Sequence, residues 1–375
     1  MPKATLYPDI DDVPGEIWDA LANNADVTMG RPFWRALQSS GFNDFSYRHV
    51  LIWDDHGKPI GLSSLYTVTT DLAIFAPRIL RSFLKGVRRF WPRFLQWQML
   101  ECGTPITITS PPFVAVPGQE KAFLACLQDT LVTIARKERQ LLIVVRDFEG
   151  HAQGLRDDFA AAGFHWVESL PNTYLDIAWT SPEAYRQAMR SYYRSKLDKH
   201  MRRYGPPAVT HKLVDDFGDL AGDLQRQWMV VHTHAKEFQR EVLTADFYRH
   251  LAHHMPSTAK VLLFYRDGLW VGHALLLMDR DTLRWLYVGR ETSDNDGLYL
   301  YVAYTVVETA ILLNAKRLEM GLTTYTVKQD LGARVEPIAM ALRSPWGLIN
   351  FFVGHGYAML NKVPKPAPRK VFKGD

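Results

Sequence analysis

The sequence is poor in cysteine, in charge of one sign and in long apolar runs, and each shortage excludes a class of protein. Its 375 residues include two cysteines, too few for a disulfide framework or a cysteine-rich metal site. A net charge of +4 over this length does not by itself indicate nucleic-acid binding. The longest apolar stretch, 298–313, contains Glu308 and is shorter than the roughly 20 residues that span a bilayer. Because the polar N-terminus also lacks a signal-peptide core, we expect a cytoplasmic protein.

Nucleotide-binding and hydrolase motifs are missing as well. The sequence has no G-x-G-x-x-G after a strand, no G-x-x-x-x-G-K-[ST] loop and no G-x-S-x-G elbow. Its 47% hydrophobic and 22% charged residues are ordinary for a globular protein, and the length suits two domains. We therefore expect a globular protein with no permanently bound cofactor and no metal.

Two stretches of the chain repeat one pattern. Positions 50–61 and 261–272 align without a gap, and each has two apolar runs around a Gly-bearing turn, which predicts a β-hairpin. A helical pattern precedes each hairpin, at 33–37 and 247–251. The elements predicted to follow are helix 121–137 and strand 140–145 in the first copy, and strand 283–289, helix 298–314 and strand 317–320 in the second. The duplication predicts an α/β fold of two related domains, each a mixed sheet flanked by helices.

The same alignment predicts the domain boundaries. We expect a first domain at 1–178, a second at 179–361, and a loosely held, Pro- and Lys-rich arm at 362–375. The first copy is longer, which places an insertion at about 72–112. Within it, 75–94 combines six basic residues, no acidic one, and aromatics at helical spacing. This segment is either a basic lid that contacts an anionic substrate or a membrane surface, or a surface helix packed on the core.

Two smaller features have competing interpretations. A helix predicted at 213–237 carries His232 and His234, which lie about 200° apart and cannot share a tetrahedral ion. His234 and Glu237 could share a face. His234 is either a metal ligand, a general base or substrate contact, or a surface or hydrogen-bonded histidine. Cys102 is either a reactive thiol or a small buried residue.

A basic helix is predicted at 181–203, with seven cations and the single acid Asp198 between positions 185 and 203. The spacing places Arg186, Arg190 and Arg194 in one row and Lys196, Lys199 and Arg203 in another. Such rows suit the phosphates of a coenzyme, a nucleotide sugar or an RNA backbone. The alternative is a solvated helix face.

Ionisable side chains concentrate at the end of the last predicted strand. The strand ends at Gly321, and Glu319, Tyr325 and Lys328 lie in or beside the polar loop that follows. A strand end is where a sheet enzyme positions acids and bases, although a Gly-containing connection would also explain the glycine.

These motifs resemble the GNAT superfamily, and more narrowly its tandem branch, which includes Fem-type peptidyltransferases and peptidoglycan biosynthesis/recognition proteins. The resemblance is strong over 181–342 and faint in the first half. The segments that carry it are 193–197, 243–248, 267–272, 287–290 and 319–333.

The resemblance implies direct transfer of an acyl or aminoacyl group from a thioester or ester to an amine. Glu319 or His234 would be the base and Tyr325 the proton donor to the leaving group, while main-chain N–H groups of a splayed strand stabilise the oxyanion. The residues it implies for substrate or donor binding are Lys328, Arg290, Gly297, Arg194, Lys196 and Arg203.

One departure from the family concerns the donor. The turn that holds coenzyme A in this superfamily is glycine-rich, whereas the segment from Arg290 to Gly297 has one glycine and the carboxylates of Asp294 and Asp296. Carboxylates beside a helix start would repel a pyrophosphate. We expect an acyl-CoA donor and a small amine acceptor, with aminoacyl-tRNA as the alternative donor. Two different interpretations are a non-catalytic protein that binds an anionic or lipid-linked ligand, and a peripheral membrane protein.

Overall fold

The computed structural model describes residues 1–41, 43–71, 86–91, 94, 96–235, 241–294, 297–360 and 363–374. The chain forms two compact units, each assembled from three stretches of sequence. Unit 1 consists of Met1–Trp34, Asn43–Leu170 and Pro337–Pro364, and unit 2 of Arg35–Phe42, Pro171–Glu336 and Lys365–Asp375.

The described residues form fifteen strands and eleven α-helices. The strands are β1 (Lys3–Tyr7), β2 (Ser46–Trp53), β3 (Pro59–Asp71), β4 (Gln96–Cys102), β5 (Phe113–Ala115), β6 (Leu142–Phe148), β7 (His165–Glu168), β8 (Asn172–Asp176), β9 (Val209–Val214), β10 (Ala259–Arg266), β11 (Leu269–Asp279), β12 (Thr282–Arg290), β13 (Arg317–Glu319), β14 (Arg334–Glu336) and β15 (Ala339–Arg343). The α-helices are α1 (Gly15–Ala22), α2 (Arg31–Gln38), α3 (Glu120–Lys137), α4 (Arg156–Ala161), α5 (Pro182–Ala188), α6 (Ser191–Tyr204), α7 (Ala221–His234), α8 (Ala245–His254), α9 (Leu298–Leu312), α10 (Tyr325–Asp330) and α11 (Gly347–Leu360).

The two sheets have the same plan. Unit 1 has the strand order β1-β2-β3-β4-β6-β15-β7, with β5 paired to β3, and unit 2 has the order β9-β10-β11-β12-β13-β8-β14. In both sheets the fourth and fifth strands are parallel and every other pair along the order is antiparallel. The predicted α/β fold with an internal duplication is confirmed.

Both predicted hairpins are present, as β2–β3 and β10–β11. The second turn is the tighter one: Asp267 and Gly268 have φ of +51° and +77°. Positive φ at both central residues matches the right-handed twist of the flanking strands, which is why Asp-Gly is favoured there.

The sixth strand of each sheet comes from a distant part of the sequence. Strand β15 lies between β6 and β7 of unit 1, while β8 lies between β13 and β14 of unit 2. The units therefore differ from the division 1–178, 179–361 and 362–375. Strand β8 belongs to unit 2, and the stretch that carries β15 and α11 belongs to unit 1.

The insertion in the first copy is shorter than the predicted 72–112. Strand β4 occupies part of that range and pairs with β3 along its whole length, as β12 pairs with β11. Only Arg280 and Asp281 separate β11 from β12, whereas 72–95 separates β3 from β4. Positions 72–85, 92, 93 and 95 lie outside the described residues, so most of the segment 75–94 is not tested. Within the described part, Phe90 and Trp91 are exposed.

Two predicted helices have different bounds in the structure. The stretch 213–237 begins in β9, where Leu213 pairs with Leu262, and Glu237 lies outside the described residues. The stretch 181–203 divides into α5 and α6 because Met189 and Arg190 are extended. The amide of Arg190 donates to the carbonyl of Val371 there. The first predicted row of arginines therefore does not follow one helix face.

The C-terminal segment is docked rather than loosely held. Val371 is fully buried, and Phe372 forms a β-bridge with Met189 and packs on Trp179 with ring centroids 4.6 Å apart. Gly332 permits this, since a Cβ at that position would collide with the ring of Phe372.

Helix α9 is the centre of the unit 2 core. Its residues are apolar around most of the circumference, and Tyr301, Val306 and Ala310 are buried. A helix that is apolar on all sides is stable only where neighbouring elements shield every side from water. Over the part of the chain that the structure describes, none of the helices combines the length and apolarity needed to cross a membrane.

Candidate active site

Strand β12 of unit 2 contains a β-bulge at Leu286. Tyr287 pairs with Leu275 and Trp285 with Leu276, so Leu286 has no partner opposite it on β11. A bulge shifts the alternation of side chains by one residue. As a result Trp285 packs in the core around α9, while Tyr287 faces Trp228 of α7.

Beyond the bulge, β12 presents an open edge. Strand β13 pairs in parallel with β12 through Arg284 and Glu319 and ends there, whereas β12 continues to Arg290. Among the described residues no strand pairs with 285–290 on the side away from β11. The ladder of main-chain hydrogen bonds that joins β12 to β13 therefore does not continue along 285–290.

Helix α7 packs closely on one face of this part of β12 because position 289 is glycine. A Cβ on Gly289 would collide with the ring of His273 and lie 2.9 Å from the main-chain nitrogen of Trp228. His273 is fully buried between Gln227 and Tyr248, at 3.0 and 3.2 Å, and burial lowers its pKa to about 3. It is thus a neutral structural residue at physiological pH.

Glu319 is 2% exposed at the end of β13. Arg284 donates to its Oε2 at 2.7 Å, and Asn172 of β8 donates to its Oε1 at 2.7 Å. Both oxygens are therefore engaged, and the carboxylate links three neighbouring strands. This arrangement suits a structural ion pair better than the base predicted from the sequence.

The loop after β13 has a strained main chain. Gly321, Thr323 and Thr324 have φ of +76°, +61° and +49°. The left-handed region is unfavourable for β-branched residues and costs about 1–3 kcal/mol at each such position. Strain of this kind is found at functional sites when the surroundings enforce it.

Lys328, on α10, reaches back into this loop. Its Nζ donates to the carbonyl oxygens of Gly321 at 2.9 Å and Leu322 at 2.7 Å, and the residue is 2% exposed. Burial lowers the pKa of Lys328 to about 7, an effect that the nearby Glu319 partly opposes.

Tyr325 and Tyr299 connect the loop to its surroundings. The hydroxyl of Tyr325 donates to the carbonyl of Pro171 at 3.0 Å. Tyr299 stacks on Trp285 with ring centroids 5.6 Å apart and bonds the side chain of Thr324. The indole N–H of Trp285 donates to the carbonyl of Tyr287, 3.1 Å away on the open edge.

On the opposite face of β12 the structure reveals residues that the sequence did not indicate. The Tyr287 hydroxyl donates to Oε1 of the buried Glu241 at 2.6 Å, and His232 stacks on Trp228 at 4.4 Å. Glu241 raises the pKa of His232, although burial lowers it more. Tyr287 belongs to a segment that carries the family resemblance, but its orientation depends on the bulge, and Glu241 lies in none of those segments.

His234 is not part of this group. It is exposed, and its Nδ1 bonds the carbonyl of Val230 one turn earlier in α7, at 2.8 Å. No set of three His, Cys, Asp or Glu residues within the described ranges could hold a metal ion. Cys102 is buried, which raises the pKa of its thiol to about 12, so the thiolate is disfavoured.

A family model for FemAB-like proteins of peptidoglycan biosynthesis/recognition matches residues 9–324. The chain belongs to the FemAB-like family. It is 25% identical over 323 residues to a Mycobacterium tuberculosis protein, in two strains, named "Putative 8-amino-7-oxononanoate synthase 2". The match covers 84% of this chain and 42% of that protein. This FemAB-like chain thus spans less than half the length of those curated relatives.

Solved structures with the same fold include FemX, the L-PGS of Bacillus licheniformis and a tandem GNAT protein from the clavulanic acid biosynthesis pathway. FemX has a TM-score of 0.56 at 11% identity, covering 92% of this chain and 98% of its own. L-PGS has a TM-score of 0.51 at 11% identity, and the match covers 93% of this chain and 98% of its own. The tandem GNAT protein has a TM-score of 0.52 at 12% identity, and the match covers 92% of this chain and 99% of its own. The FemAB-like chain thus has the fold of these proteins, which is the two-domain fold that the sequence resemblance implied.

Two of the predicted donor-binding residues, Gly297 and Arg290, lie around the start of α9. Gly297 precedes that helix with φ of +81°, and a Cβ there would lie 2.7 Å from the ring of Tyr204 on α6. His200 of α6 bonds the carbonyl of Gly297 at 3.0 Å. The side chain of Arg290 donates to the carbonyl of Asp294. Asp296 lies outside the described residues.

The basic helix α6 therefore contacts the N-terminus of α9 in this FemAB-like chain. Arg203 is exposed beside the ring of Tyr204, and Arg194 is partly exposed. Lys196 is paired instead with Asp330 at 2.5 Å. The structure brings Gly297 and the C-terminal cations of α6 to one region, whereas Lys196 has its own partner.

Proposed function

We propose that this chain is an N-acyltransferase that moves an acyl group from acyl-CoA to an amine at the open edge of β12. The observation that supports the proposal is the bulge at Leu286 together with the stretch 285–290, which pairs with β11 but, among the described residues, with no strand on its other side. Strand β4, the counterpart of β12 in unit 1, pairs regularly with β3 and ends where its pairing with β6 ends. Within the described part of the chain, a bulged fourth strand that extends beyond its fifth-strand partner occurs in unit 2, and a donor-binding strand requires this feature.

The open edge suits the chemistry of direct transfer. The amine nitrogen forms a bond to the thioester carbonyl carbon and the carbon–sulfur bond breaks. Coenzyme A leaves as a thiolate, which becomes the thiol by taking up the proton that the amine gives up. The negative charge that develops on the carbonyl oxygen needs preorganised donors, and main-chain N–H groups along this edge of β12 would supply them. Holding both reactants at this edge contributes further to the rate, since it converts a bimolecular encounter into a reaction within one complex.

The acceptor amine approaches from the face that carries Glu241 and Tyr287. A buried carboxylate beside the ring systems of Tyr287 and Trp228 attracts an ammonium ion by charge and by cation–π interaction. Glu241 accepts the proton that the amine loses, and Tyr287 holds the carboxylate through its hydroxyl. Glu319 is less suited to this role because Arg284 and Asn172 bond both of its oxygens.

A second candidate donor is aminoacyl-tRNA. Arg203 is exposed near the start of α9, as are Lys199 and Arg202 on the same helix, and together they suit a polyanion. Glu291, paired with Arg226 at 2.5 Å, and Asp294 place carboxylates in the loop where a CoA pyrophosphate would lie. Family membership also favours this donor, because the resemblance to Fem-type enzymes implies it.

The test measures coenzyme A release from acetyl-CoA with a thiol reagent, using the full chain and a panel of primary amines. A parallel arm measures transfer from charged tRNA to the same amines. Amine-dependent thiol release supports the proposal, and transfer from tRNA alone replaces it with the second candidate. Failure of both arms, without any rise in unfolding temperature at saturating donor, contradicts acyl transfer at this site. A ligand at 100 times its Kd would add about 2.7 kcal/mol of stability.

A further inference from the structure

The loop between β13 and α10 is held by one buried ammonium group. Nζ of Lys328 donates to the carbonyls of Gly321 and Leu322, at 2.9 and 2.7 Å. The carbonyl of Gly321 also accepts a hydrogen bond from the hydroxyl of Thr173 on β8, at 2.5 Å. Three hydrogen bonds from β8 and α10 thus fix the first two residues of the loop.

A lysine is well suited to this position. Main-chain carbonyls that are buried without a donor destabilise the fold. The chain at Thr323 and Thr324 is left-handed, so it continues neither the strand nor a regular helix that would supply donors. An ammonium group on a four-carbon stem can bond two carbonyls six and seven residues earlier.

This loop faces the open edge of β12. A Cβ on Gly321 would lie 3.6 Å from the carbonyl oxygen of Trp285. At the other end of the loop, Thr324 bonds Tyr299, which stacks on the ring of Trp285. The loop is therefore in contact with Trp285, the first residue of β12 beyond its pairing with β13. The position of the loop accordingly sets the width of the opening between the loop and β12.

We propose that Lys328 is a positioning residue that fixes the loop 321–324 against the open edge of β12 and thereby sets the affinity for the acyl donor. This inference rests on the proposed function. It differs from the substrate-binding role that the resemblance implied, because the ammonium group is 2% exposed and bonds the main chain.

The surroundings of Lys328 make its hydrogen bonds to the loop carbonyls dependent on pH. Glu319 on β13 faces it and favours the ammonium form, but Arg284 already neutralises that carboxylate. Asp330, on the same helix, is paired with Lys196 and Arg369. Burial leaves Lys328 with a pKa of about 7. Above that pH the neutral amine is a weaker donor, so the loop is held less firmly.

The first arm of the test needs no substrate. Hydrogen exchange of the loop amides is compared at one pH for the full-length wild type, Lys328→Met and Lys328→Gln. The matched control is Lys260→Met, which removes a lysine of β10 that pairs with Asp215 at 2.8 Å. We expect exchange to rise about 10-fold in the loop for both Lys328 variants and to stay unchanged for the control. Unchanged exchange in both Lys328 variants would overturn the proposed hold.

The second arm measures KM and kcat for acetyl-CoA between pH 6 and 9. We expect the KM of the wild type to rise as pH increases through about 7 and the KM of Lys328→Arg to be independent of pH. The KM of Lys328→Met should be about 10-fold higher than that of the wild type, with kcat within 3-fold of the wild-type value. A lower kcat at unchanged KM overturns the positioning role. Wild-type protein without turnover on any donor contradicts the proposed function and this role together, while the exchange result still decides the hold itself.

Discussion

Units 1 and 2 share one strand order but differ where the fourth and fifth strands meet. In unit 1, β4 pairs with β6 in parallel up to its last residue, Cys102. In unit 2 the parallel pairing stops at Glu319, and β12 continues to Arg290 with a bulge at Leu286. The duplicated scaffold is thus kept in both copies, while the local irregularity that opens an edge is confined to one of them.

An ion pair joins the fourth and fifth strands in each unit, with the charges exchanged. Unit 1 has Glu101 on β4 and Arg146 on β6, 3.8 Å apart, while unit 2 has Arg284 on β12 and Glu319 on β13, 2.7 Å apart. A buried pair is weak evidence for stability but can specify which strands meet. From this comparison we propose that Glu319 belongs to the scaffold and that the chemistry depends on what differs between the units.

The largest effect is expected from breaking the shared scaffold at β15. Leu342→Pro places proline in a strand that is paired on both sides, where it removes a ladder hydrogen bond and clashes. We expect unit 1 to lose its protection against hydrogen exchange. Lys3→Pro, at the start of the edge strand β1, is the control and should cost little. Retained protection throughout unit 1 in Leu342→Pro would mean that β15 is not integral to that sheet.

The next effect concerns the close packing of α7 on the face of β12 at Gly289. Gly289→Ala forces its Cβ into the His273 ring and towards the main chain of Trp228. We expect a loss of about 3 kcal/mol in the free energy of unfolding, measured by urea denaturation. The control is Gly222→Ala in α7, where the added Cβ has no neighbouring atom within 4 Å. This substitution should instead stabilise the protein by about 0.5–1 kcal/mol. Equal effects of the two substitutions would contradict the close approach.

A third experiment separates chemistry from scaffold by comparing buried carboxylates of the two units. Glu241→Gln should lower kcat about 100-fold, because it removes the proton acceptor at the open edge. Glu101→Gln removes the negative charge from the ion pair of Glu101 and Arg146 in unit 1 and should leave kcat within about 2-fold of the wild-type value. The assay is the amine-dependent release of coenzyme A. Similar losses for both variants would indicate that Glu241 acts through stability rather than chemistry.

The sequence predicted those parts of this architecture that depend on local signals. The hairpin at Asp267-Gly268 follows from turn chemistry, and α9 follows from a continuous apolar run. The origin of β8 and β15 was not predictable, since a strand of five residues carries no signal that shows which distant strands it pairs with. The break between α5 and α6 likewise depends on a hydrogen bond from Arg190 to Val371, far away in sequence.

The candidate site was predictable only in outline, for the same reason. The cluster of Glu319, Tyr325 and Lys328 was correctly placed at a strand end, but the partners of these side chains come from β8, β12 and the loop carbonyls. The bulge at Leu286 depends on pairing with β11, and it alone orients Tyr287 towards Glu241. Residue type therefore indicated a site, while register determined which face of the sheet it uses.

The smallest expected effect is a dependence on pH that tests the ion pair of unit 1. Burial raises the pKa of Glu101 above its ordinary 4.5, against the opposing effects of Arg146 and Tyr66. The folded state therefore binds a proton more strongly than the unfolded state, and stability falls as pH rises from about 4.5 through the folded pKa. Glu101→Gln cannot titrate and should lack this fall. Glu120, at the start of α3, has its pKa lowered by main-chain hydrogen bonds, so Glu120→Gln should remove a loss of stability that occurs as pH decreases. Urea unfolding between pH 3 and 7 should thus give difference curves of opposite slope for the two variants. Slopes of the same sign would mean that Arg146 keeps Glu101 ionised in the folded state. The ion pair of Glu101 and Arg146 would then stabilise unit 1 as the pair of Arg284 and Glu319 stabilises unit 2.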